Sequence, residues 1–115
     1  MKIKKIILSL FISILSLSPA TVFAIDYPTG LRTITRVGCH INSNICFANL
    51  AGDFVGVPSQ CEATSVRWET TNPNGKEMLS MIMAAYVAGK KIDFMIDSCF
   101  GPQPTFPTFR YAITE

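Results

Sequence analysis

Four cysteines, Cys39, Cys46, Cys61 and Cys99, are the residues of this chain best able to do chemistry, and the compartment decides which chemistry that is. In a reducing cell they would be nucleophiles or metal ligands; in an oxidising space they become disulfides. The N-terminus points to the second case. Lys2, Lys4 and Lys5 precede an apolar run from Ile6 to Leu17, and Val22-Phe23-Ala24 follows with small residues at its first and last positions. That is the pattern of a secretory signal peptide, residues 1–24, cleaved after Ala24. A membrane anchor would need about 20 apolar residues in one helix, and this run is broken by Ser16, Ser18 and Pro19, so no membrane span is expected after cleavage. The mature chain, residues 25–115, is therefore expected to be secreted or periplasmic, and its even number of cysteines reads as two bridges.

Three pairings are possible. Ile41-Asn42-Ser43-Asn44 reads as a hairpin turn that sets Cys39 opposite Cys46, which favours that bridge and leaves Cys61 for Cys99. The main alternative joins Cys39 to Cys99 and Cys46 to Cys61. A metal site is not expected, because Cys39-His40 and Cys46 lack the paired short spacings of a zinc site and oxidised sulfurs cannot serve as thiolate ligands.

Other reactive types are sparse. Catalysis needs a base or nucleophile held against a partner, and the one histidine, His40, sits in the expected hairpin between bridged cysteines. Asp93 and Asp97 share a strand face without any sign of perturbation and read as solvated acids. Arg32, Arg36 and Arg110 could meet an acidic ligand if the first and last strands are neighbours, but scattered strand arginines usually form a solvated face. Trp68 beside Val66 reads as core packing before sugar stacking. No enzyme, catalytic residue or cofactor is expected.

The leader holds three of the ten basic residues and none of the eight acidic ones, so the mature chain has seven against eight and a net charge of minus one. No basic patch remains to argue for nucleic acid. A chain this short makes one domain, buries only about 60–65% of its unfolded surface and gains from cross-links.

Past a short leader, Ile25 to Gly30, the segment Leu31 to Val37 reads as a half-buried strand of alternating apolar and polar residues. Ile45 to Leu50 is a second strand, and Gly52, Gly56 and Pro58 mark a loop. Thr64 to Thr70 is a third strand with Val66 and Trp68 on one face. A helix is expected from about Pro73 to Ala88, capped by Asn72, with Glu77 near the positive dipole end and Gly89 as its stop. Lys91 to Asp97 and Phe106 to Thr114 complete the strands. From Met78 to Ala88 only Ser80 is polar, so either the chain's own strands wrap this helix or a subunit interface covers it. The class is α+β, mainly β with one helix, and the order β-β-β-α-β-β is that of a five-stranded OB-fold-like barrel.

Ile45-Cys46-Phe47, Cys61, Val66-Arg67-Trp68, Met78 to Gly89 and Ile92-Asp93-Phe94 together give the chain a resemblance to the B subunits of subtilase cytotoxin and related pertussis-like toxins. Those subunits share a cysteine pair, a following Trp, a helix ending in an aromatic and then Gly, and a proline-aromatic stretch. The counterparts here are Cys46 and Cys61, Trp68, Tyr86 with Gly89, and Pro104-Thr105-Phe106-Pro107. Taken strictly, that cysteine correspondence implies Cys46 with Cys61. Arg67-Trp68-Glu69, Gly75-Lys76, Met78-Leu79-Ser80, Gly89-Lys90-Lys91 and Cys99 are also similar to a broader group of small exported bacterial proteins of unknown function, a match that implies Cys61 with Cys99.

The toxin resemblance implies a non-enzymatic homo-oligomer, a pentamer, that binds a cell-surface glycan and accompanies a catalytic toxin subunit. It implies a glycan role for Thr29, whose Thr29-Gly30 stands where the family has Ser-Gly; a family Tyr falls at about Ile96, which speaks against sialic acid. Tyr27 nearby could stack on a sugar. Read from the residues alone, Thr29 is more simply a turn residue after Pro28. The other class of function open to the chain is a monomeric exported protein that binds or inhibits another protein.

Overall fold

The structure, a computed structural model, describes residues 26–115. The signal peptide and its cleavage site lie outside the described residues. Six strands and one helix follow in the order β1 (Tyr27–Arg32), β2 (Ile34–Cys39), β3 (Ile45–Leu50), β4 (Ser65–Glu69), α1 (Gly75–Ala88), β5 (Ile92–Cys99) and β6 (Pro107–Thr114). They form two antiparallel three-stranded sheets, β1-β5-β6 and β2-β3-β4, which are not hydrogen-bonded into a closed barrel.

The fold is mainly β with one helix, as expected, but the expected five strands become six. The segment read as one strand from Leu31 to Val37 breaks at Thr33, and its halves join different sheets. Sequence spacing explains the break. The apolar residues Leu31, Ile34 and Val37 lie three apart, a spacing that one straight strand cannot bury on one face. Bending at Thr33 buries Ile34 and leaves Leu31 outside. The strand also starts earlier than expected, at Tyr27, so the leader is itself part of the sheet.

Both disulfides are the favoured pair, Cys39–Cys46 and Cys61–Cys99. Cys39 and Cys46 face each other across the β2–β3 hairpin, and the Cys46–Cys61 bridge implied by the toxin resemblance is not formed. Two bridges suit an oxidising location. Among the described residues no helix is long and apolar enough to cross a membrane.

α1 begins two residues later than the sequence suggests. Asn74 adopts the left-handed conformation (φ 60°) and becomes the N-cap, without a side-chain capping bond, which leaves Pro73 in the preceding turn. Its C-terminus is as expected. Gly89, also left-handed, ends the helix while its N–H donates to Tyr86 O at 3.3 Å and that of Lys90 to Ala85 O at 2.9 Å, the paired bonds of a Schellman motif.

One core joins both sheets and the helix. Ile34, Ala48, Leu50, Val66 and Trp68 come from one sheet, Ile92, Phe94 and Ile96 from the other, and Ile82 and Ala85 from α1. The indole N–H of Trp68 donates to Gly75 O at 3.0 Å, tying β4 to the start of the helix. Phe109 sets its edge against both Trp68 (5.5 Å between centroids) and Phe94 (4.9 Å), so β6 is held to the core by aromatic packing.

Candidate functional site

β1 carries a bulge where its pairing with β5 slips between Pro28 and Leu31. Gly30 supplies the left-handed residue (φ 70°) that such a bulge requires. Thr29, beside it, is buried. Its hydroxyl accepts the N–H of Phe94 at 3.0 Å and donates to Gly30 O at 2.8 Å, so a side chain stands in for a missing ladder carbonyl. Thr29→Val should therefore leave a buried N–H unpaired and destabilise the fold by about 1–3 kcal/mol. Thr29→Ser keeps the acceptor and is expected to melt within a degree or two of the wild type; equal urea midpoints for Val and Ser would refute this role.

Tyr27 and Thr29 line a cavity of about 210 Å³ shared with Arg32, Phe54 and Glu62. Phe54 is 71% exposed in the loop after β3. Arg32 is anchored from below: its Nε donates to Thr29 O at 2.9 Å, and Nη1 to Ala51 O at 3.1 Å and Asp53 O at 3.3 Å. The guanidinium thus pins the loop that presents Phe54. Sequence reasoning named Tyr27 and Thr29 but missed Phe54 and Glu62, which sit in a loop without periodic pattern; an aromatic in a Gly- and Pro-rich loop is the signal that could have found Phe54.

The three arginines considered together do not meet. β5 lies between β1 and β6, Arg110 pairs with Asp26 at 3.1 Å, and Arg36 is exposed on the other sheet. Trp68 is in the core. Asp97 accepts a bond from Ser98 at 3.0 Å, while Asp93 Oδ1 is buried without a partner. Among the described residues no three His, Cys, Asp or Glu side chains are placed to hold a metal ion.

A second cluster was not legible in the sequence. The Arg67 guanidinium lies over the Phe106 ring (3.7 Å to its centroid) and near Phe47 (5.0 Å), its cross-strand neighbour. Nη1 donates to Gln103 Oε1 at 2.6 Å and to His40 Nε2 at 3.2 Å. Arginine only donates, so His40 Nε2 is the acceptor in this contact. Burial lowers the Arg67 pKa from the ordinary guanidinium value by desolvating the cation. The cluster fastens the β5–β6 loop onto β4.

The helix turns an apolar face outward. Ile82 and Ala85 are buried, but Met83, Tyr86 and Val87 are exposed, Val87 to 80%, so the chain's own strands do not wrap it. Comparison of the chain with protein families, with curated proteins and with solved structures finds no match.

Proposed function

We propose that the mature chain is an exported, non-enzymatic subunit that associates with copies of itself and binds a cell-surface glycan. The observation that carries the reading is the uncovered face of α1. A helix apolar on all sides is normally buried, and Met83, Tyr86 and Val87 stand in solvent on a single chain. A second copy of the chain removes that surface from water, as the ring implied by the toxin resemblance would. Counting β1 and β2 as one bent strand leaves the element order of an OB-fold, which supports the same resemblance, although fold alone decides no function.

The glycan site in this reading is the cavity beside Tyr27. Sugar rings present an apolar C–H face and a rim of hydroxyls. Phe54 and Tyr27 offer aromatic surface for the face, and Glu62 offers an acceptor for the rim. Thr29 shapes the cavity through its bulge. The test is Phe54→Ala, which removes an exposed ring and should leave the melting midpoint unchanged while lowering capture on a glycan array at least tenfold. Undiminished capture by that variant would refute this site.

A further inference from the structure

We propose that the cleft between the start of α1 and β6 is a second sugar site on each chain, selective for a neutral pyranose; this rests on the reading of the chain as a glycan binder. The cleft encloses about 330 Å³, and its lining includes the rings of Trp68, Phe109 and Tyr111 together with Glu69, Asn72 and Asn74; Trp68 belongs to the core and adds only the small part of its ring that is exposed, 5%. That volume is at the lower end for small-molecule sites and suits one or two sugar units.

Two of its rings are held in place. Trp68 is held by its bond to Gly75 O and by the edge of Phe109, which is in turn braced on Phe94. Tyr111, 42% exposed, adds the most accessible ring of the lining. The lining also carries two amides, Asn72 and Asn74. Asn74 is the helix N-cap, yet its side chain makes no capping bond, so its amide is not committed to the helix. Carboxamides and a carboxylate beside an aromatic ring match the donors, acceptors and apolar face of a pyranose.

Charge sets the selectivity. Arg110 also borders the cleft and pairs with Asp26 at 3.1 Å. That is the one ion pair among the described residues, so Glu69 has no cationic partner. Glu69, Arg110 and the Asp26 beside it together leave a net negative charge at the cleft, which favours uncharged sugars over acidic ones.

Trp68 is the chain's one tryptophan and belongs to the cleft lining, so its emission follows changes there. The mature, oxidised protein is titrated with galactose, N-acetylglucosamine and their β1-4 disaccharide, with glucuronic acid as the charged comparator, while Trp68 emission is followed. A neutral sugar is expected to give a saturable change at millimolar concentration. Its apparent Kd should rise at least tenfold in Tyr111→Ala and severalfold in Asn72→Ala, with circular dichroism reporting that both variants are folded. The titration is repeated in Phe54→Ala protein, where the first cavity is disabled. Loss of the response there, a response to glucuronic acid alone, no response to any sugar, or wild-type binding by folded Tyr111→Ala would each overturn the proposal. Glycan-array capture that survives those results but is lost in Phe54→Ala would leave the first site standing and remove only this one.

Discussion

Replacing Cys61 and Cys99 together by alanine is expected to lower the melting midpoint by roughly 15–30 °C, a larger loss than from removing the other bridge. The two cysteines are 38 residues apart in sequence. Closing a loop of that length restricts the unfolded chain by about 4 kcal/mol in the chain-entropy model, whereas a separation of 7 corresponds to about 2.5 kcal/mol. In a domain this small each kcal/mol shifts the midpoint by about 4–8 °C. The long bridge also carries more structure, because it joins the loop before β4 to the end of β5 and so ties one sheet to the other. Parallel urea titrations of the Cys61→Ala/Cys99→Ala and Cys39→Ala/Cys46→Ala proteins check the ranking. A larger loss from the hairpin pair would contradict it.

Placing lysines at Met83 and Val87 is expected to reduce the assembly to single chains without unfolding them. The two positions are four apart on α1 and lie on one face, both exposed. Burying such side chains at an interface is worth about 1.5–3 kcal/mol each, so replacing both by desolvated charges should weaken self-association by about two to four orders of magnitude. Exposed substitutions alter fold stability by only about 0.5 kcal/mol, so the melting midpoint of the isolated chain should hold. Sedimentation velocity on the double variant reads the outcome, and a species of unchanged mass would show that this face is not the contact.

The parts of the fold written in local pattern were readable from residues. Val66 with Trp68, and Ile92, Phe94 and Ile96, alternate with polar or partly exposed neighbours, Ile45 to Leu50 is a short, mostly apolar run, and all three form the strands expected of them. Gly89 ends the helix where its left-handed freedom is needed. The Ile41-Asn42-Ser43-Asn44 turn favoured Cys39 opposite Cys46, which left Cys61 for Cys99, and both bridges form. Misplaced features depend on partners distant in sequence. The three-residue spacing of Leu31, Ile34 and Val37 marks the bend at Thr33, but which sheet each half joins is set by distant strands, and the bulge at Gly30 becomes visible only with Phe94 alongside. Asn72 looks like the better cap until Asn74 turns left-handed and takes that place. At the candidate site, Tyr27 was legible as an aromatic near the first strand. Phe54 and Glu62 come from a loop whose position is set by Arg32 reaching back to Ala51 and Asp53. Arg67 alternates like a solvent-facing residue and gives no hint that Phe106, 39 positions later in the sequence, covers it.

Self-association through the apolar face of α1 is the claim on which the proposed function depends. The mass of the mature, oxidised protein, read by light scattering as it leaves a sizing column, tests it most directly. A single species several times the chain mass, five times for a pentamer, is the expected result and would justify glycan arrays on the assembled form. A monomer that persists at high concentration would contradict the reading and direct the search to protein partners for the exposed helix.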